Sequence, residues 1–160
     1  MYNYFNLKIS VCIFLCVFIL SCSKKTVTLK VVQAKASNTY RESEFGPNNL
    51  YDNNFGTLWN SGDYAPQWVV FEFFEKKEIS LIKLYVAQTP AGEAEHRIYF
   101  AGDDKRFFEV GKINQLFKEG DVLSFKCPEE YKTTEVKYLK IQTLKSPSWV
   151  AWREIKVFSQ

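Results

Sequence analysis

One histidine, His96, is all that the 160 residues offer, and that scarcity removes most metal and acid–base chemistry at once. No triad of imidazole ligands and no His-Glu-x-x-His helix can be assembled, and Cys127 with His96 is the sole pairing left for nucleophilic work. Glycine is scarce too, with seven residues, and none of them builds a phosphate-cradling loop. Paired carboxylates for glycoside hydrolysis need to converge in a cleft, which a compact β-sandwich of this size usually lacks. Asp103-Asp104 is explained by hairpin-turn chemistry. The sequence points away from catalysis.

Cysteine is nearly as sparse. Of four, Cys12 and Cys16 lie in the apolar run over residues 9–20 and Cys22 follows it closely, which leaves Cys127 without an internal disulfide partner. Beside Pro128 at a strand end, Cys127 is expected to be a buried, inert thiol. The apolar run is too short to span a bilayer, which takes about 20 residues in a helix. Behind the early cation Lys8 and ahead of small residues it reads as a secretory signal over residues 1–21. Charge is also short of a sign, with 21 basic against 18 acidic residues. Nucleic acid is excluded as a partner, because such binders cluster Lys and Arg on a basic face.

What the chain does have is period-two patterning. Val69, Phe71 and Phe73 alternate with Val70, Glu72 and Phe74; Leu81, Lys83 and Tyr85 alternate with Ile82, Leu84 and Val86. Segments around residues 97–100, 138–142 and 154–158 repeat the pattern. Turn signals separate them at Gly46-Pro47-Asn48-Asn49, Ser61-Gly62-Asp63, Thr89-Pro90-Ala91-Gly92, Gly102-Asp103-Asp104, Lys118-Glu119-Gly120-Asp121 and Ser146-Pro147-Ser148. No helical stripe exceeds about one turn. The fold class is therefore all-β, a sandwich of short strands. The aromatic content of 17% is assigned mostly to its core, with Phe71, Phe73, Phe100, Phe108, Phe125 and Phe158 on strand positions.

Four stretches in order carry a family resemblance: Ala36-Ser37-Asn38, then Asn48-Asn49-Leu50-Tyr51-Asp52-Asn53-Asn54-Phe55-Gly56-Thr57-Leu58-Trp59, then Gln67-Trp68-Val69-Val70-Phe71-Glu72-Phe73, and Trp149-Val150-Ala151-Trp152-Arg153-Glu154-Ile155-Lys156-Val157 near the end. Over residues 31–158 the chain resembles discoidin, or coagulation factor 5/8 C-type, domains and is similar to family 32 carbohydrate-binding modules. The resemblance implies a jelly roll of about eight strands over residues 31–160, with Trp59 and Trp68 buried. Separately, Ile19-Leu20-Ser21-Cys22 resembles the lipobox of bacterial lipoproteins. That implies a fatty-acylated Cys22, a tether over residues 22–30 and a place in the bacterial cell envelope. Ser23, where some inner-membrane lipoproteins carry aspartate, points to the outer membrane.

The resemblance also implies a structural calcium ion. Calcium takes six to eight hard oxygen ligands at a turn, and the loop over residues 49–57 supplies such oxygens. Carried over by position, the side chains are Asp52, Thr57 and Glu154, and the carbonyls those of Asn49, Asn54 and Arg153. Asn53 stands where glycine is commoner and tolerates the left-handed conformation; Asn54 stands where a second acid is commoner and brings no charge. The competing account has Asp52 capping a turn and Glu154 paired with a lysine.

Ligands of such domains bind among loops at one end. The candidates are Tyr40, Arg41, Tyr64, Gln88, His96 and Trp149, with Trp149 as the stacking plane because it follows a turn. Sugars need this mixture of aromatic faces and planar polar groups. Trp149 also has a core reading beside Trp152, and His96 one as a structural residue. A protein partner or a phospholipid surface is the alternative, engaged through Phe45, Tyr64 and Trp149 at loop tips.

Overall fold

In the computed structural model, which describes residues 26–159, ten strands form two five-stranded antiparallel sheets. The strands are β1 (Val27–Thr28), β2 (Val31–Ala36), β3 (Trp59–Asn60), β4 (Gln67–Glu78), β5 (Leu81–Val86), β6 (Gly92–Ala101), β7 (Phe108–Phe117), β8 (Val122–Lys126), β9 (Glu135–Lys145) and β10 (Ala151–Ser159). The first sheet runs β1-β10-β5-β8, with β3 also paired to β10, and the second runs β2-β4-β9-β6-β7. Helix is confined, among the described residues, to α1 (Glu42–Phe45) and two 3-10 turns, Pro47–Leu50 and Glu129–Tyr131. The discoidin-type jelly roll is the fold expected, with about ten strands in place of eight. The two extra are two-residue pairings too short to carry a sequence period.

The period-two pattern sorts the core as alternation requires. Val69, Phe71 and Phe73 of β4, Ile98 and Phe100 of β6 and Leu139 and Ile141 of β9 come from one sheet; Ile82 and Leu84 of β5, Leu123 of β8 and Ile155 and Val157 of β10 come from the other. Burying each such side chain contributes about 1.5 to 3 kcal/mol. With Cys127 free and buried, its thiol pushed up by desolvation, packing and strand pairing hold the described domain together without a disulfide.

Three aromatic assignments need correcting. Trp68 is half-buried on the outer face of β4, and Phe158 is likewise half-buried. Phe108 is 41% exposed. β4 is apolar in both phases, so its pattern does not say that Trp68 faces out. Part of the stretch expected to be a tether, residues 22–30, belongs to the fold: Val27 and Thr28 pair with Ser159 and Phe158, the Leu29 amide donates to the Val157 carbonyl at 2.8 Å, and Leu29 joins the core. Cys22 and residues 1–25 lie outside the described residues.

Candidate functional site

Three loops converge beside the junction of β3 and β10. Asn60 and Trp59 pair with Ala151 and Trp152, which draws the turn after β3 onto the segment before β10. Ser61 locks that approach: its amide donates to the Val150 carbonyl at 2.9 Å, its hydroxyl donates to the Asp63 carbonyl at 2.6 Å and accepts from the Val150 amide at 3.1 Å. Gly62 has φ of +69°, and a Cβ there would come within 2.9 Å of the Tyr40 Cβ. Glycine is what lets Tyr40 close in.

The result is a shallow pocket of about 380 Å³ whose lining includes Asn60, Tyr64, Gln88, Pro90, Pro147 and Trp149. Tyr64 is 59% and Trp149 40% exposed, so both rings meet solvent. Behind Trp149, Tyr40 packs with ring centroids 5.7 Å apart, and Phe45 stacks on Tyr40 at 5.8 Å. The Arg41 guanidinium lies 5.1 Å from the Tyr40 ring and pairs with Glu44 at 3.6 Å. Gln88 is buried; its Nε2 donates to Ser146 Oγ, which donates to the Ser148 carbonyl at 2.7 Å. Its Oε1 is buried with no donor among the described residues, leaving an acceptor unanswered in the pocket wall.

Of the six expected ligand residues, then, Tyr64, Gln88 and Trp149 share one pocket, Tyr40 supports Trp149, and Arg41 rests against the Tyr40 ring and does not line the pocket. His96 is the correction. It is fully buried on β6, with Nδ1 2.9 Å from Thr143 Oγ1 and its ring edge-on to Trp152 at 4.8 Å. It shares its phase with Ala94, Ile98 and Phe100, a period-two signal that outweighs the single-histidine argument. Asn60 and Pro147 were not anticipated. Asn60 sits in a two-residue strand, and nothing in its local sequence marks it as a pocket residue.

The oxygen-rich loop is built from the Pro47–Leu50 turn onward. Asn49 Nδ2 donates to the carbonyls of Glu44 at 2.9 Å and Leu58 at 2.8 Å, tying both ends of the loop together. Asp52 Oδ1 accepts from the Asn54 amide at 2.8 Å, and Asn54 Oδ1 from the Gly56 amide at 3.0 Å. Asn53 takes φ of +60°, the left-handed conformation expected of it. Thr57 Oγ1 lies 2.7 Å from both Asp52 Oδ2 and the Asn54 carbonyl. A hydroxyl has one proton to give, and Asp52 Oδ2 can take it, because the Thr57 amide already donates to the Asn54 carbonyl at 3.2 Å.

β10 closes this loop. Arg153 donates to the Phe55 carbonyl at 3.2 Å and pairs with Glu119 at 2.6 Å. Glu154 is 2% exposed, and its Oε2 has no partner among the described residues. Desolvation pushes its carboxyl up to about 7; the Asn53 backbone amide and Lys156 oppose that, and the negative charge of Asp52 adds to it. Asp52 does cap a turn, as the competing account has it, but no lysine forms an ion pair with Glu154 among the described residues. A pocket of about 160 Å³ lies against Asn53 and Glu154. No three His, Cys, Asp or Glu side chains converge among the described residues, so a cation here would draw on carbonyl and hydroxyl oxygens. That donor set fits calcium and does not fit zinc.

The architecture is that of a discoidin-like domain. The chain belongs to the F5/8 type C domain family, whose sequence pattern matches residues 33–155. Among curated proteins no sequence match is found. Among solved structures it is similar to the family 32 carbohydrate-binding module of C. perfringens NanJ in complex with galactose, with TM-score 0.72, 12% identity, and coverage of 84% of this chain and 100% of that one. A second Clostridium perfringens family 32 module, in complex with GalNAc-β-1,3-galactose, gives TM-score 0.69 at 17% identity over 79% of this chain and 94% of that one. A pectin-binding carbohydrate-binding module gives TM-score 0.67 at 21% identity over 81% of this chain and 91% of that one.

Burial also dictates a pH response. Desolvation lowers the His96 pKa from 6.5 to about 4, so between those values the unfolded chain binds more protons than the folded one. The stability from a neutral His96 is present above about pH 6.5 and is lost as pH falls toward 4, a loss on the order of 3 kcal/mol. Denaturant unfolding of parent and His96→Gln across this range is expected to show a shallower acid decline in the variant. The comparison isolates His96 from Glu154, whose raised pKa acts in the opposite direction. Parallel profiles would contradict the assignment.

Proposed function

We propose that the chain is a non-catalytic carbohydrate-binding domain whose glycan sits in the pocket formed by Tyr64, Gln88 and Trp149. The observation that carries this is the pairing of an exposed, buttressed indole with a buried amide whose acceptor is unanswered. The Trp149 plane takes the C–H face of a pyranose, and a shift of the Gln88 side chain would bring its Oε1, now closed to solvent, within reach of a sugar hydroxyl. Tyr40 and Phe45 hold Trp149 from behind, so little ordering is left for binding to impose. The sugar complexes of similar modules support this choice of ligand. Absence of turnover is supported by the placement of the two residues available for nucleophilic chemistry: His96 and Cys127 are both buried. Phe45, half-buried in the stack on Tyr40, is not free to insert into phospholipid, which favours a glycan over a membrane as the pocket's occupant. On a glycan array the purified protein is expected to bind galactose- or amino-sugar-type ligands, and Trp149→Ala to abolish binding. A blank array would transfer the pocket to a protein partner.

A calcium ion completes the loop over residues 49–57 in this proposal. Asp52, Thr57 and Glu154, with the Asn49, Asn54 and Arg153 carbonyls, would hold it, and its charge would offset the buried Glu154, whose Oε2 has no partner among the described residues. Its part is structural, fixing β10 to the loop. Calcium at 100 times its dissociation constant adds about 2.7 kcal/mol of stability. Thermal melts in millimolar calcium and in EDTA are expected to differ by several degrees, and Asp52→Asn to remove the difference; identical parent melts would contradict the site.

We also propose that the domain is held at the bacterial cell envelope, at the outer membrane, by acyl chains on Cys22. Each buried methylene contributes about 0.8 kcal/mol, so two or three chains anchor stably where one does not. Metabolic labelling with a fatty acid is expected to mark the parent and not Cys22→Ser. Equal labelling of both would overturn the anchor.

A further inference from the structure

The outer face of the second sheet carries a set of side chains that neither the core nor the loop pocket uses. Strand register sets Lys35 of β2, Val70 of β4, Lys140 of β9 and Tyr99 of β6 side by side. Trp68 lies one step to one side of that row and Tyr138 one step to the other. Lys35, Trp68, Val70, Lys105, Phe107 and Tyr138 border a depression of about 240 Å³, and Phe107 is 38% exposed. This is a patch of aromatic planes on a rigid sheet, and it shares no lining residue with the pocket that holds Tyr64 and Trp149.

Its charge is unbalanced. The acids on the same face lie against basic groups: Glu72, which also borders the depression, is 3.6 Å from Lys137, and Glu95 and Glu109 share Arg97 at 3.1 and 3.4 Å. Lys35, Lys105 and Lys140 form no ion pair among the described residues. Two of them rest on rings instead, Lys105 Nζ at 5.2 Å from the Tyr138 centroid and Lys140 Nζ at 5.8 Å from Trp68 and 5.5 Å from Tyr99. At exposed sites such contacts are weak, so a ligand carboxylate would draw the ammonium groups away at little cost.

Aromatic planes interleaved with unpaired ammonium groups specify a ligand with both a C–H face and a regular negative charge. A neutral sugar leaves the three charges unused. A membrane surface would call for protruding apolar tips, whereas Trp68 and Tyr138 are half-buried between neighbours. We propose that this sheet face is a second glycan site, independent of the loop pocket, that takes a uronate-bearing polysaccharide: pyranose faces on Trp68 and Tyr138, carboxylates on Lys35, Lys105 and Lys140.

Calorimetric titration of the full chain in detergent with tetragalacturonate tests this, with galactose titrated in parallel. Uronate binding is expected to weaken by about tenfold or more in the double variant Lys35→Gln, Lys140→Gln and to weaken as salt rises. It is expected to persist in Trp149→Ala and in saturating galactose. The lysine variants are surface changes, and an unchanged melting temperature would confirm that they fold. Three outcomes would overturn the proposal: no uronate binding at millimolar concentration, loss of uronate binding in Trp149→Ala or in competition with galactose, or binding to phosphatidylglycerol vesicles without binding to tetragalacturonate. Failure of the loop-pocket reading would look different, since it would appear as galactose binding that is absent or indifferent to Trp149→Ala.

Discussion

The pairing of β10 is the constraint on which the rest depends. This strand pairs with β1, β3 and β5, so it joins the start of the described domain, the turn before the pocket and the centre of the first sheet. No disulfide shares that task among the described residues. A bulge between Trp152 and Glu154 changes which phase faces the core: Trp152 is buried before it, Ile155 and Val157 after it. The extra residue is what allows Glu154 to be buried beside Ile155 while Arg153 reaches the loop carbonyl of Phe55, an example of a bulge re-aiming side chains at a site. The residues just before β10 carry Trp149 to the pocket. One strand thereby positions both the loop over residues 49–57 and the exposed ring of Trp149.

Two buried titratable groups sit close to this strand and resolve their burial differently. His96 loses its charge, keeps one hydrogen bond to Thr143 and becomes a polar member of the core. Glu154 is held near neutrality by desolvation against Asp52, which leaves a carboxyl that is neither comfortably ionised nor hydrogen-bonded through Oε2. A buried carboxylate needs a compensating positive charge or a proton. Near Glu154 the structure places the left-handed Asn53, whose backbone amide faces the carboxyl, and the charge of Asp52; the calcium proposed above would supply the compensating charge.

Much of this fold was legible because alternation survives in long strands. β4, β5 and β6 each show inward residues at every second position, and the ordered tryptophans and turn residues aligned those strands with a known architecture. In the loop over residues 49–57, Asn53 takes the left-handed conformation that its side chain permits and that was expected of it. Where legibility failed, the physics is specific. Val27–Thr28 is too short to show a period, and its partner strand lies at the other end of the chain. Trp68 sits in a run apolar on both faces, so its phase was ambiguous. Phe108 begins β7 two residues before a bulge opposite Ile98 and Tyr99; there Gly111 adopts φ of +153°, and a Cβ on it would meet the Phe125 ring at 2.8 Å. His96 was misread by chemistry when its phase with Ile98 and Phe100 already placed it inside. Gln88 was singled out as polar, but its burial and unpaired acceptor emerge only once Ser146 is brought to it from 58 residues away.

The central claim, that the loop pocket is the ligand site, is open to one direct test. The four tryptophans each carry an indole N–H visible by NMR, and they report on different places: Trp59 and Trp152 on the core, Trp68 on the sheet face, Trp149 on the pocket. During titration with galactose the account predicts that the Trp149 indole resonance moves with ligand concentration while those of Trp59, Trp68 and Trp152 stay in place. A stationary Trp149 resonance at saturating sugar would contradict it.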